Sequence, residues 1–203
     1  MFPNFKTSKI TIMVLLQNKK LILGSKSPRR KELLSQITFN LEIRIQEVDE
    51  IYEPSISESK VPEYLAELKA KALLSTIQEN EIIITADTIV ILENTILGKP
   101  NSLEDAKSML QKLSGRKHTV ITGCCITDLK KQKSFSVSTN VYFKDLTTEM
   151  IDFYVDTFQP LDKAGAYGIQ EWIGIVGIEK IDGSYYNVMG LPVAHLWEEL
   201  NQF

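Results

Sequence analysis

Several polar side chains stand where folding alone does not explain their types. Asp87 interrupts the apolar, β-branched run at 82–92, where a carboxylate is disfavoured and costly to desolvate unless paired or bound to a cation. Lys69 falls on the apolar arc of a helical wheel, among Leu65, Ala66, Leu68, Ala72 and Leu73, with Glu63, Glu67 and Lys71 on the opposite side. A lysine in that stripe must snorkel or meet an anion, whereas Lys71 has the setting of a solvated side chain. The stretch Gly24-Ser-Lys-Ser-Pro-Arg-Arg30 joins a strand to a helix start, where free amides and guanidinium groups form a phosphate site. It is not a P-loop, because the Gly-Lys-Ser/Thr ending is missing. Arg29 and Arg30 oppose the helix dipole, and a bound anion would relieve the conflict; otherwise they are surface arginines on a capped helix. Lys99, in Leu97-Gly-Lys-Pro100, closes a short hairpin that could bring it to Asp87. Glu47, Asp49, Glu50 and Glu53 form an acidic run that by default is a solvated edge, though one member could share a metal with Asp87.

Other chemistries find little support. His118 and His195 have no Cys or His at ligand spacing, which argues against zinc and for structural or exposed roles. There is no Gly-x-Ser-x-Gly elbow, and the only cysteines, Cys124 and Cys125, would point to opposite faces of a strand, so no disulfide framework forms. Free thiols indicate a reducing cytosol, hence a cytoplasmic protein. The run Ala164-Gly-Ala-Tyr-Gly-Ile-Gln170 suits close backbone approach to a ligand, or simply turns, and Gln170 carries an amide able to read a base edge.

These side chains need a framework, and the 203 residues, 43% hydrophobic and 24% charged, supply enough material for one large domain or two small lobes. The net charge of −3 leaves no global basic field for nucleic acid, and no apolar stretch approaches the roughly 20 residues of a membrane helix. Strands are expected at 21–24, 41–48, 82–92, 95–97, 119–127 and 135–143, with two more short ones meeting near Asp182-Gly183 as a hairpin. Helices are expected from Pro28 to about Ile37, from Pro62 to about Gln78, over 103–113 and 148–157, and from near Pro192. The pattern indicates a mixed α/β sheet. Residues 1–18 form an N-terminal extension that is dispensable, with Met13 as an alternative start and no cleavage site for an exported leader; residues 19–203 form one domain.

Six ordered blocks carry a family resemblance: Ser25-Lys-Ser-Pro-Arg-Arg-Lys-Glu-Leu-Leu34, Lys69-Ala-Lys-Ala72, Ala86-Asp-Thr-Ile-Val90, Gly98-Lys-Pro100, Leu113-Ser-Gly-Arg-Lys-His118 and Asp162-Lys-Ala-Gly-Ala-Tyr-Gly-Ile-Gln170. Together they resemble the Maf family of nucleoside triphosphate pyrophosphatases, also called septum formation inhibitors. The late block Asp182-Gly-Ser-Tyr-Tyr-Asn-Val-Met-Gly-Leu-Pro192 is similar to the branch acting on dTTP and UTP. Gly24 and Glu171 depart from the family's usual alanine and glycine.

The resemblance implies an inosine-triphosphatase-like α/β fold: an elongated mixed β-sheet flanked by helices, with two lobes around a central cleft, often as a homodimer. It implies cleavage of dTTP, UTP and modified pyrimidine nucleotides to the monophosphate and pyrophosphate, with divalent Mg²⁺ or Mn²⁺. Matched by motif, Asp87 is the proton acceptor, Arg29, Thr88 and Gln170 bear on substrate choice, and Ser25, Arg30, Lys69 and Lys99 complete the substrate site. Glu50 would hold the metal with Asp87. The competing reading is a non-catalytic, nucleotide-binding regulator of cell division, which would need the phosphate cradle but not the water-activating acid.

Overall fold

The structure, a computed structural model, describes residues 19–38 and 40–203. The extension at 1–18 lies outside them. In chain order the strands are β1 (Lys20–Leu23), β2 (Leu41–Ile43), β3 (Glu81–Leu92), β4 (Thr95–Leu97), β5 (Lys117–Thr127), β6 (Gln132–Phe143) and β7 (Ile178–Asp182). The helices are α1 (Pro28–Ser35), α2 (Val61–Leu73), α3 (Leu103–Leu113), α4 (Thr148–Phe158), α5 (Trp172–Gly177), α6 (Tyr185–Met189) and α7 (Val193–Gln202). They build a mixed α/β sheet of order β2-β1-β3-β5-β6-β7, with β4 added to the far end of β3.

The long antiparallel ladder β3-β5-β6 forms the frame, and β1 and β2 join it in parallel. Leu21, Ile22 and Leu23 are wholly buried, as a parallel strand covered on both faces requires. Along β3, pairing with β1 ends at Ile84 and pairing with β4 begins at Val90. The β3 edge between them carries Asp87 and Thr88, just beyond the carboxyl end of β1, where parallel sheets leave a crevice for ligands. Alternation along the strand sends these two side chains to opposite faces.

On one face, two apolar clusters flank Thr88. One gathers Leu23, Leu34, Ile84, Cys124 and Leu196 under α1 and α7, and the other gathers Val90, Leu110, Val141, Phe143 and Tyr154 under α3 and α4. On the other face lies α2, with Ala66, Ala70 and Leu73 packed on Ile22, Ile83 and Cys125. Gly123, opposite Asp87 in the ladder, permits this packing, since a Cβ there would lie 2.2 Å from the Glu63 amide nitrogen. Caps account for the helix starts: the Ser27, Ser102 and Thr147 hydroxyls accept from the amides of Arg30, Asp105 and Met150.

Three sequence expectations need correction. The strand expected at 41–48 ends at Ile43, because β1 has no residues left to pair with beyond Leu23; the Arg44 amide takes the Leu23 carbonyl, and the chain turns toward the cleft. The helix expected to reach Gln78 stops at Leu73, followed by a single tight turn at Leu74–Thr76 in which the Thr76 hydroxyl bonds back to the Leu73 carbonyl. No hairpin forms at Asp182-Gly183. One strand, β7, pairs with β6, and Ser184 then caps α6 through the Asn187 amide.

Candidate active site

The open edge of β3 forms the floor of a cleft of about 610 Å³, within the range of small-ligand sites. Ser25, Arg29, Arg30, Glu50, Lys69, Asp87, Thr88, Lys99 and Gln170 all line it. Each arrives from a different constraint of the fold.

Lys69 is the link between two acids. Its ammonium, on a side chain only 16% exposed, lies 2.5 Å from Asp87 Oδ1 and 2.9 Å from Glu50 Oε1. The apolar arc of α2 therefore carries its lysine to the one face of β3 that bears an acid, while Lys71 is exposed. Burial would raise the Glu50 pKa, but the hydrogen bond and charge of Lys69, with Lys99 and Arg30, outweigh it and hold the carboxyl below its ordinary value.

Arg30 turns inward from α1. Its Nε donates to the Gly190 carbonyl at 2.8 Å, Nη1 to the Ala86 carbonyl at 2.7 Å and the Ser25 hydroxyl at 3.2 Å, and Nη2 to Thr88 Oγ1 at 2.9 Å. Burial lowers its pKa and the Asp87 charge opposes that, with the guanidinium still cationic. The hydroxyls beyond it have a fixed polarity. Thr122 donates its single hydrogen to the Asn187 carbonyl, so Thr88 donates to Thr122 at 3.0 Å and accepts from Arg30. Thr88 and most of Arg30 are thus engaged by the protein itself, stitching α1, β3, β5 and α6 together at the floor of the cleft.

Across the mouth, Arg29 Nη1 donates to Asp162 Oδ2 at 2.7 Å. Lys163, almost wholly buried, bridges Asp162 Oδ1 at 2.7 Å and Glu171 Oε1 at 3.1 Å. The Tyr154 hydroxyl donates to Glu171 Oε2 and accepts the Gly168 amide at 3.0 Å. Gln170, at the end of this glycine-containing loop, has its side-chain Oε1 buried with no hydrogen-bond partner in the chain. Lys99 is exposed at the rim, and the adjacent Gly98 carbonyl accepts from the Gly165 amide at 3.0 Å, tying the β3–β4 hairpin to the loop. Of the acidic run, Glu47, Asp49 and Glu50 line the cleft and Glu53 is an exposed side chain outside it.

Sequence reasoning did not single out Tyr154, Lys163 or Asp162 as site residues. The Asp162-Lys163 dipeptide before the glycine-containing loop was a usable signal; Tyr154 had none, being one apolar-face aromatic on an amphipathic helix. Of the two histidines, expected to be structural or exposed, His195 has a side chain 43% exposed on α7. His118 is buried, with Nε2 2.7 Å from the Tyr167 hydroxyl, and burial lowers its pKa to about 4. Cys124 and Cys125 are buried on opposite faces of β5, their thiols pushed up by burial to about 12 and about 11. Among the described residues, no group of three or more His, Cys, Asp or Glu side chains is placed to hold a metal ion.

A family profile described as Maf-like protein matches residues 20–203. A protein of Phocaeicola vulgatus named dTTP/UTP pyrophosphatase is 49% identical over 188 residues, covering 92% of this chain and 97% of that protein. Proteins of the same name from Porphyromonas gingivalis and Christiangramia forsetii are 49% identical over 191 residues and 43% identical over 188, covering 93% of this chain and 96% of each relative. Among solved structures, the Ham1 protein of Staphylococcus aureus is similar with a TM-score of 0.47 at 16% identity, covering 63% of this chain and 73% of that one. With relatives near half identical over almost their whole length and a profile spanning nearly all the described residues, the chain belongs to the Maf-like protein family.

Proposed function

We propose that this chain hydrolyses dTTP and UTP to the nucleoside monophosphate and pyrophosphate. The observation that carries the reading is the Lys69 bridge between Asp87 and Glu50, set in a cleft that also presents a helix start, Arg29 and Lys99. A triphosphate carries about four negative charges, and its hydrolysis needs them neutralised and a water deprotonated. Arg29, Lys69, Lys99 and the Ser25 hydroxyl, gathered at the positive end of the α1 dipole, are suited to the phosphates. Asp87, mostly buried, is suited to accept a proton from water attacking the α-phosphorus, with pyrophosphate as leaving group. Gln170 supports selection of uracil or thymine, because an unpartnered buried amide oxygen is satisfied by the base N3–H. Arg30 and Thr88 contribute chiefly by fixing the floor on which the substrate rests.

The acids fit a divalent metal. Asp87 and Glu50 already converge on one cation position, filled by the Lys69 ammonium, and both offer the oxygen ligands that Mg²⁺ or Mn²⁺ prefers. With only two such carboxylates there, further ligands fall to water and substrate phosphates. When bound, the metal would neutralise charge on the phosphate oxygens. The buried free thiols suit a reducing cytoplasm, and among the described residues no helix is long and apolar enough to cross a membrane.

The test is pyrophosphate release by the purified chain across a panel of dTTP, UTP, CTP, GTP and ATP with Mg²⁺ or Mn²⁺. Release from dTTP and UTP ahead of the others supports the reading. Binding of nucleotide with no release from any would instead indicate the non-catalytic regulator.

A further inference from the structure

We propose that Glu171 is a positioning residue that sets nucleobase selectivity by holding Gln170, an inference that rests on the function proposed above. Three contacts converge on it. Its backbone amide closes the loop by donating to the Gly168 carbonyl at 3.0 Å, so that Gln170 is held inside a four-residue turn. Its carboxylate receives the Tyr154 hydroxyl on one oxygen and, at 3.1 Å, the Lys163 ammonium on the other. Tyr154 in turn receives the Gly168 amide at 3.0 Å, which anchors both ends of the turn to α4.

The contact with Gln170 runs through Gly168. A Cβ there would lie 2.7 Å from Glu171 Cδ and 3.1 Å from Gln170 Nε2, so the carboxylate and the amide border the same space, which a side chain at Gly168 would fill. Gln170 Oε1 is buried and unpartnered, so nothing in the chain that bonds to this oxygen fixes the amide's orientation. Its direction is inherited from the turn. Tyr154 is wholly buried and Lys163 is 9% exposed, so Glu171 is held by groups that cannot relax into solvent.

Selectivity is the readout. Uracil and thymine present an N3–H donor to the Gln170 oxygen, whereas cytosine presents an acceptor there, so a loosened amide should lose the distinction while the phosphate contacts persist. Wild type, Glu171→Gln, Tyr154→Phe, Gln170→Ala and the double variant Glu171→Gln/Gln170→Ala would be assayed for kcat/KM with UTP and CTP, beside thermal denaturation. Glu171→Gln and Tyr154→Phe should each lower the UTP-to-CTP ratio about tenfold, with the UTP loss mainly in KM. In the Gln170→Ala background, Glu171→Gln should leave the ratio unchanged. A uniform loss on both nucleotides that follows the fall in Tm would show a structural role and overturn the inference, as would an unaltered ratio. If Glu171→Gln does not fold, Tyr154→Phe, which removes one hydroxyl at constant aromatic volume, decides by the same ratio. A wild type that turns over neither nucleotide overturns the proposed function itself, whereas a selective wild type whose variants keep the ratio overturns only the role of Glu171.

Discussion

Replacing Lys69 by Met removes the cation from between Asp87 and Glu50 while leaving a side chain that suits the apolar arc of α2. Both carboxylate oxygens lie within 3 Å of one nitrogen, so without it two like charges face each other across about 6 Å or less. At an effective dielectric constant of about 20 that repulsion is about 3 kcal/mol. Glu50 is half exposed, and solvent screening reduces the figure to about 1–2 kcal/mol. For a chain of this size the expected fall in Tm at pH 7 is about 2–8 °C. The pH dependence follows from Glu50, whose carboxyl is held low chiefly against burial by Lys69. A carboxyl with a lower pKa folded than unfolded adds stability above its unfolded value, and that stability disappears as pH falls through the folded one. The deficit of Lys69→Met should therefore be greatest at neutral pH and close as the pH falls from the ordinary glutamate value of about 4.3 through the lower folded value of Glu50. On UTP, losing one charge-assisted contact worth about 1.5–3 kcal/mol should lower kcat/KM about 10- to 100-fold. Lys71→Met, on the exposed side of the same helix, should stay within about twofold of wild type on the same scale. Thermal denaturation from pH 7 down to about pH 3, with kinetics at pH 7, measures all of this. A Lys69 variant as stable as wild type at pH 7, or a deficit that does not shrink in acid, would refute the bridging role.

Asp87→Asn keeps the shape but removes the proposed proton acceptor, and turnover of UTP should fall by about 10² to 10⁴; near wild-type turnover would remove Asp87 from that role. Arg30→Lys offers one ammonium where the guanidinium serves the Gly190 and Ala86 carbonyls and two hydroxyls, and leaving buried carbonyls unpaired should cost about 2–4 kcal/mol, seen as a drop in Tm of several degrees. Gly123→Ala drives a methyl against the Glu63 backbone at 2.2 Å, so denaturant unfolding should report a loss of about 1–3 kcal/mol or more, with weakened catalysis because α2 carries Lys69. An unchanged unfolding midpoint would mean that α2 can shift freely away from β5.

The parts of the molecule that could be read from sequence were those in which local chemistry conflicts with local pattern, or agrees with it fully. Lys69 in an apolar stripe and Asp87 in an apolar strand each announced a partner, and the two prove to be each other's. Helix α3 lies over Leu103–Leu113 as expected, because Ser102 caps it and Ala106, Met109, Leu110 and Leu113 fall at helical spacing. Alternation at 41–48 was a poorer guide, since it states which face a strand would bury but not whether a neighbour exists to pair with it. Arg30 read as a phosphate ligand or as a surface arginine at a helix start, and the Ala86 and Gly190 carbonyls and Thr88, all distant in sequence, draw it inward. The Tyr154–Glu171 contact was invisible for a similar reason: the polar end of a core-facing tyrosine leaves no trace in hydrophobic periodicity.

In the proposed reaction, water attacks the α-phosphorus of a pyrimidine triphosphate with Asp87 as its proton acceptor. Hydrolysis of UTP by the purified chain with Mg²⁺ in ¹⁸O-labelled water, followed by mass analysis of the products, tests it directly. Equal amounts of UMP and pyrophosphate are expected, with the label in UMP alone. Label in pyrophosphate, or release of UDP and orthophosphate, would contradict it.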